Sequence, residues 1–261
     1  MTVREQPWPT GAPAWVGLTC SDVGAATGFY GAVLGWEFEI GSTPDGRAYL
    51  LAVRDGRRLA GITQAATPGT AAEWLVYLMT PDAGATADRA EAAGAQVLAG
   101  PVGTDGDAAI AFLRDPTGAV LGLLQPGTGL GLEVTDEVGT VAWTELLTDD
   151  VPAAQEFYGA VLGVEHRPLE GEPGYLTVHA AGEVVCGLGP LESMDDGAGR
   201  SHWLTYLRVA DVDATLRLVD AHGGRSGEPF DSPFGRIAVV RGPEGETFAL
   251  IADAMSTDPG I

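Results

Sequence analysis

Phe29-Tyr30-Gly31-Ala32-Val33-Leu34-Gly35 recurs letter for letter as Phe157-Tyr158-Gly159-Ala160-Val161-Leu162-Gly163, an offset of 128 residues (29 against 157). The same offset pairs Trp15 with Trp143 and Asp22 with Asp150, and nearby spacings pair Tyr49 with Tyr175, Trp74-Leu75 with Trp203-Leu204, and Pro116 to Gly118 with Pro243 to Gly245. The duplication therefore runs through the whole chain. Within each heptad Phe29, Val33 and Leu34, or Phe157, Val161 and Leu162, fall on one face of a helix, and the following glycine suits a left-handed C-cap. Asp22 and Asp150 stand where a helix N-cap belongs, so a helix is expected to open just after each.

Outward from the heptads, each half reads as strand, helix and further strands. A short alternating strand precedes each helix, from Trp15 to Cys20 and from Val141 to Thr148. Three alternating strands are expected near Tyr49 to Val53, Leu59 to Thr63 and Trp74 to Met79. A second helix follows over Ala83 to Ala93, matched by Val212 to Ala221, and Gly94 and Gly223 end them. Two last strands flank the tight turns Asp115-Pro116-Thr117-Gly118 and Gly242-Pro243-Glu244-Gly245. The class is α+β, with halves expected at 13–126 and 140–254, a linker at 127–139 and tails at 1–12 and 255–261.

Composition narrows the partners. The formal charge of −22 on 261 residues repels phosphate backbones and anionic lipid, so neither nucleic acid nor membrane is an expected partner. Such acidity serves solubility, and it also favours a cationic ligand; both readings stay open. Apolar runs such as Leu75 to Met79 are too short to cross a bilayer, and the opening residues lack the apolar stretch of a signal peptide, so a cytoplasmic location is expected. Cys20 and Cys186, each in a predicted strand without metal-site spacing, read as buried free thiols.

The series of strand, FYGAVLG helix, meander and Asp-Pro-x-Gly type turn resembles the vicinal oxygen chelate superfamily of glyoxalases, ring-cleaving dioxygenases and bleomycin-resistance proteins. The opening Trp15 to Asp22 and the strand Trp74-Leu75-Val76-Tyr77 further resemble its two-module subgroup, similar to the mycobacterial 27 kDa antigen type. The resemblance implies tandem paired βαβββ modules whose curved sheets form cup-shaped cavities. It also implies, for active members, a divalent metal held by His or Glu on the first and middle strands and Glu on the last. Here those positions fall on Trp15 and Trp143, Leu75 and Leu204, and Gly122 and Ala249. None offers an oxygen or imidazole donor, so no metal and no other cofactor is expected. A slip of two residues would bring Glu145 into the cup, and His202 lies two residues before Leu204.

Strand alternation assigns the cup faces. Trp15, Gly17 and Thr19 share one face of the first strand, and Trp143, Glu145 and Leu147 share that of its repeat. Leu75, Tyr77 and Met79, with Leu204, Tyr206 and Arg208, face the cups from the middle strands, while Trp74 and Trp203 turn to the helices. Tyr49, Tyr175, Thr177 and His179 are further cup candidates. Tyr and Trp serve a core as readily as a planar ligand, since each carries a flat apolar face with one hydrogen-bonding tip. Glu145 needs a cation, a donor or a proton to sit among them, and its counterpart in the first half is Gly17. His166 and His222 follow helices and are expected at the surface. The sequence contains no Ser-His-Asp order, nucleotide-binding glycine motif or Cys-x-x-Cys site.

The leading expectation is metal-free binding of a small antibiotic-like molecule, aromatic and planar or cationic, of the anthracycline or bleomycin type, in drug sequestration, self-resistance or antibiotic biosynthesis. Its alternative is an enzyme of the glyoxalase type, a lyase, isomerase or dioxygenase, using Glu145 and His179 as acid and base. An interaction protein with self-filled cups is the third reading. The chain is expected to act as a monomer or homodimer.

Overall fold

The computed structural model describes residues 2–43, 46–67, 69–103, 108–194 and 197–253. The chain begins with Thr2–Val3 (β1) and continues through the first half as Pro13–Cys20 (β2), helix Val23–Leu34 (α1), Glu37–Ser42 (β3), Ala48–Arg54 (β4) and Arg57–Gln64 (β5). Glu73–Met79 (β6), helix Ala83–Ala92 (α2), Gln96–Gly103 (β7), Ala109–Arg114 (β8) and Val120–Gln125 (β9) complete it. Val134–Thr135 (β10) lies in the connection and pairs with β1, so the start of the chain is tied to the residues between the halves. The second half runs Val141–Thr148 (β11), helix Val151–Leu162 (α3), Glu165–Pro168 (β12), Leu176–Ala180 (β13), Glu183–Pro190 (β14) and His202–Arg208 (β15). It ends with helix Val212–Ala221 (α4), Arg225–Ser226 (β16), Phe230–Ser232 (β17), Gly235–Arg241 (β18) and Thr247–Ala252 (β19). The tail expected at 255–261 lies outside the described residues.

Each half holds two βαβββ units, a finer division than the sequence suggested. In the first half, β2 to β5 form one unit and β6 to β9 the other, joined along the antiparallel pair β2–β6 in the order β3-β4-β5-β2-β6-β9-β8-β7. The second sheet repeats the order as β12-β13-β14-β11-β15-β19-β18-β16, with β17 also on β18. Strands β3, β7 and β12 were absent from the sequence expectation because all three are sheet edges. Glu37 and Glu39 are exposed, and Gly100 and Pro101 interrupt β7, whose register shifts twice. Edges tolerate these residues because one side of the strand needs no partner.

Local chemistry fixes the helices where the repeat places them. The Asp22 and Asp150 side chains accept the amides of Ala25 and Ala153, and Gly35 and Gly163 close the helices at φ 71°. A side chain with a Cβ resists that left-handed conformation. The buried faces Phe29, Tyr30, Val33 and Leu34, and Phe157, Tyr158, Val161 and Leu162, enter one core spanning both halves. The helices thus lie between the sheets, leaving the opposite face of each sheet free to form a cup.

Two matched relays cross the seam. Trp74 Nε1 donates to Tyr30 Oη (2.9 Å), which donates to Glu246 Oε1 of the second half (2.9 Å). Trp203 Nε1 donates to Tyr158 Oη (3.3 Å), which donates to Asp115 Oδ2 of the first half (2.7 Å). Burial pushes the Glu246 carboxyl above its ordinary value, and both phenols are likewise raised, first by burial and then by the facing carboxylate. Glu244 adds a third tie by accepting the amides of Ser21 (2.8 Å) and Asp22 (2.5 Å) at the start of α1.

Both cysteines are buried and unpaired. Burial, then Glu244, pushes the Cys20 thiol up to about 12. His222 is exposed. His166 is not the surface residue expected, being half-buried with Nε2 enclosed and without a hydrogen-bond partner. It belongs to the unforeseen strand β12, opposite Val178 of the core, rather than to a loop after α3. No helix among the described residues is long and apolar enough to cross a membrane.

Candidate functional site: two unlike cups

On β2 the side chains alternate as the pattern requires. Ala14, Val16, Leu18 and Cys20 are buried toward the helices, whereas Trp15 and Thr19 are half-buried on the other face. Tyr77 lies beside Trp15 in the pairing of β2 with β6, and Tyr77 in turn lies beside Gly122 of β9. The Tyr77 ring is laid along the sheet, for a Cβ on Gly122 would collide with it and one on Gly17 would stand 3.1 Å away. Tyr49 lies in the same way over Gly61, where an added Cβ would meet its ring at 2.9 Å and the Trp15 indole nitrogen at 3.2 Å. Leu75 is half-buried between them and Met79 is buried at the end of the strand. Glycine is required at these floor positions because the rings occupy the space a side chain would take.

The floor extends further than the sequence indicated. Phe112, opposite Gly122, meets Tyr77 edge-on at 5.9 Å, and Leu51, opposite Gly61, is half-buried beside it. Continuing the alternation into β8 would have found Phe112. At the open edge, Glu39 pairs with Leu51 and shares the face of Gly41, whose own missing side chain leaves room for the Tyr49 ring. The first cup is therefore an aromatic floor with half-buried rings and a carboxylate at its margin. No floor position carries an ionisable group stronger than a phenol. Burial, then Tyr49, holds the Tyr77 phenol well above its ordinary range.

The second cup shares the layout and differs in its chemistry. Glu145, 5% exposed, accepts the phenols of Tyr175 (2.6 Å) and Tyr206 (2.5 Å), and Trp143 Nε1 donates to Tyr175 Oη (3.2 Å). Two charge-assisted bonds of this length offset much of the cost of burying a carboxylate. Burial, followed by Glu145, raises the Tyr175 phenol far above its ordinary range, so it stays a donor. His179 shares the face of Thr177 but hydrogen-bonds Thr177 Oγ1 (2.9 Å), and its buried Nδ1 has no partner. Glu145 and His179 are thus each engaged with other groups. Arg208 ends the strand in ion pairs with Asp136 (2.6 Å) and Asp253, clamping the connection between the halves and the end of the described chain.

Leu147, Leu204, Tyr206, Ile237, Ala249 and Ile251 form a separate buried cluster on this face. Leu191 and Met194 cover it from the connection between β14 and β15, which includes the short 3-10 turn Leu191–Ser193. That connection, 191–201, is three residues longer than its counterpart 65–72 between β5 and β6. The first-half connection instead turns Ala72 against the main core. Sequence periodicity missed Leu191 and Met194 because they lie in a loop, where it carries no information.

A divalent metal does not fit either cup. Trp15, Leu75 and Gly122 supply no donor in the first, and Trp143, Leu204 and Ala249 supply none in the second. Glu145 lies opposite Leu204, and each of its oxygens already accepts a phenol, from Tyr175 and from Tyr206. A hard cation needs several oxygen or imidazole ligands converging on one point. Among the described residues no group of three His, Cys, Asp or Glu side chains gathers in that way.

Comparison with known proteins agrees with this architecture. Residues 15–124 match the glyoxalase-like domain family, and residues 140–250 match the glyoxalase/bleomycin resistance protein/dioxygenase superfamily. The chain is 36% identical over 252 residues to CFP32 of Mycobacterium tuberculosis, a protein named as a glyoxylase, covering 94% of this chain and 95% of that one. It is 35% identical over 260 residues to the anthracycline biosynthesis protein DnrV of Streptomyces peucetius, covering 92% and 93%. In fold it is similar to the Mn(II)-bound glyoxalase from Novosphingobium aromaticivorans, with a TM-score of 0.63, 15% identity and coverage of 94% and 83%. The 2,3-dioxygenase LapB from Pseudomonas sp. KL28 gives a TM-score of 0.62 at 15% identity, with 97% and 96% covered. With both halves matched and full-length relatives above a third in identity, the chain belongs to the glyoxalase/bleomycin resistance protein/dioxygenase superfamily.

Proposed function

We propose that this chain is a small-molecule binding protein that holds a planar aromatic compound in a cup of the glyoxalase fold without using a metal there, in sequestration or in support of antibiotic biosynthesis. The observation that carries the reading is the replacement of metal donors by aromatic and apolar residues, with Tyr77 laid over Gly17 and Gly122, Tyr49 over Gly61, and the Trp15 indole nitrogen beside Gly61. Flat rings on a concave sheet favour ligands that stack, and burial of their apolar faces supplies the affinity. The kinship with an anthracycline biosynthesis protein supports a polycyclic aromatic as the compound class. A net charge of −22 raises the local concentration of cationic compounds around such a protein.

The test is a titration of intrinsic tryptophan fluorescence with aromatic polyketides, bearing or lacking an amine, on protein assayed for metal. Saturable quenching at less than stoichiometric metal is the expected result. Stoichiometric metal, or an absence of quenching by every compound, would defeat the reading. A second reading, an enzyme, is favoured by one observation: Glu145 is buried with two phenols on its oxygens, an arrangement able to accept and return a proton. Conversion of a bound compound by the wild-type protein, lost in Glu145→Gln, would identify it.

A further inference from the structure

The two cups differ in cover, in floor and in edge, and these differences divide their roles. In the second cup, Leu147, Leu204 and Ala249 are fully buried, and Leu191 and Met194 lie on the cluster to which they belong. In the first, the counterparts Thr19, Leu75 and Tyr77 remain half-buried, as do Leu51 and Phe112, while Trp15 and Tyr49 are half-buried just as Trp143 and Tyr175 are, and the shorter connection 65–72 turns Ala72 to the main core. Half-exposed aromatics on a concave face, with Gly17 where the second cup has Glu145 and with Glu73 at the end of β6 held by Arg200 (2.8 Å), leave apolar surface that a ligand can cover.

The edges differ in charge. Glu39 of β3 lies in the row Glu39, Leu51, Gly61, Gly17 and Leu75 that crosses the first cup strand by strand. The equivalent row of the second half begins with Arg167 of β12 and passes through Thr177 and Gly187 to Glu145. Glu39 is exposed, whereas Arg167 is paired with Glu165 at 2.9 Å. A cation at the margin is matched in the first cup only.

We propose that the first cup is the ligand seat and that its occupant is a planar polycyclic aromatic bearing an amine. Its rings lie over Trp15, Tyr49, Tyr77 and Phe112, and its ammonium points across Leu51 toward Glu39. The second cup, self-filled by Leu191 and Met194, is the structural partner. This rests on the binding reading above and specifies its site. Stacking on the floor supplies most of the affinity, and Glu39, being exposed, contributes a screened preference for the charged form.

The experiment is an equilibrium titration of the full chain with an amine-bearing aromatic polyketide and with its amine-free aglycone, followed by the compound's own visible fluorescence. Wild-type protein, Glu39→Gln, Leu75→Lys and the double variant Leu191→Ala with Met194→Ala are compared after circular dichroism verifies the fold of each. Leu75→Lys is expected to weaken both compounds at least tenfold. Glu39→Gln, an exposed change that cannot disturb the core, should weaken the amine-bearing compound about two- to fivefold, the range of an exposed ion pair, and leave the aglycone unchanged. The double variant should bind within twofold of wild type with one site. Wild-type binding that survives both first-cup substitutions, or that tightens or gains a second site in the double variant, would overturn the assignment while leaving the binding reading intact. Failure of the wild-type protein to bind either compound would overturn that reading and this inference with it.

Discussion

Tyr158 illustrates how much of this molecule hangs on single polar atoms inside an apolar core. Its hydroxyl accepts from Trp203 and donates to Asp115, whose other oxygen accepts Thr117 N, Thr117 Oγ1 and Ala119 N. Tyr158→Phe keeps the ring and removes the link, leaving a buried indole N–H and a carboxylate oxygen unmatched. Loss of about 1–3 kcal/mol is expected, read as a lower denaturant midpoint at unchanged m-value, and Tyr30→Phe should behave alike. His166 offers a second measurement at this scale. It lines a cavity of about 10 Å³ beside Tyr158 and Cys186, room for roughly one water, and burial lowers its pKa below 6.5. Because the unfolded chain binds the proton first, the stability His166 confers is complete above pH 6.5 and declines as pH falls through its folded pKa. A proton NMR titration should therefore place the His166 midpoint below the ordinary imidazole value of 6.5, and a midpoint at or above it would refute the burial argument.

Elements, rather than residues, decide what each cup can hold, and glycine is the device that sets the depth of the floor. Gly122 of β9 lies under the Tyr77 ring, so Gly122→Ala would lift the ring into the cup. An overpacking cost of about 1–3 kcal/mol is expected, with weakened binding to the first cup in the same variant; thermal melting and ligand titration read the two effects separately. The faces of these strands were legible because alternation is a property of neighbouring residues: it turned Trp74 and Trp203 to the helices and Tyr77 and Tyr206 to the cups, where the structure has them. Glu39 was not legible, since an edge strand with two exposed glutamates resembles a loop when read locally. Leu191 and Met194 were hidden for a related reason. Their burial depends on a loop folding back onto a sheet, and no local periodicity records it.

At the scale of the whole molecule, the duplication keeps the strand order and changes the chemistry. The seam carboxylates show this: Asp115 opens its turn and Glu246 follows its own, so aligning the repeats sets Asp115 against Gly242. The Glu246 side chain fills the space a Cβ on Gly242 would need, and thus reaches Tyr30 from a different point of the chain. Sequence comparison alone could not pair them, because each bond joins residues from opposite halves and its partner is unpredictable from spacing. The physical consequence is a shared core. Phe29, Tyr30, Phe157, Tyr158 and Phe248 belong to one cluster, and Phe29 meets Phe248 across the seam at 6.3 Å. Neither half can unfold without stripping cover from the helices of the other. The chain is expected to melt in one transition, with far-ultraviolet circular dichroism and tryptophan fluorescence superimposing and the calorimetric enthalpy equal to the van't Hoff value. Phe157→Leu, made in the second half, should then lower that single midpoint without splitting it. Two resolved transitions, with the substitution moving only one, would mean that the seam contributes little and that each half is stable on its own sheet and helices.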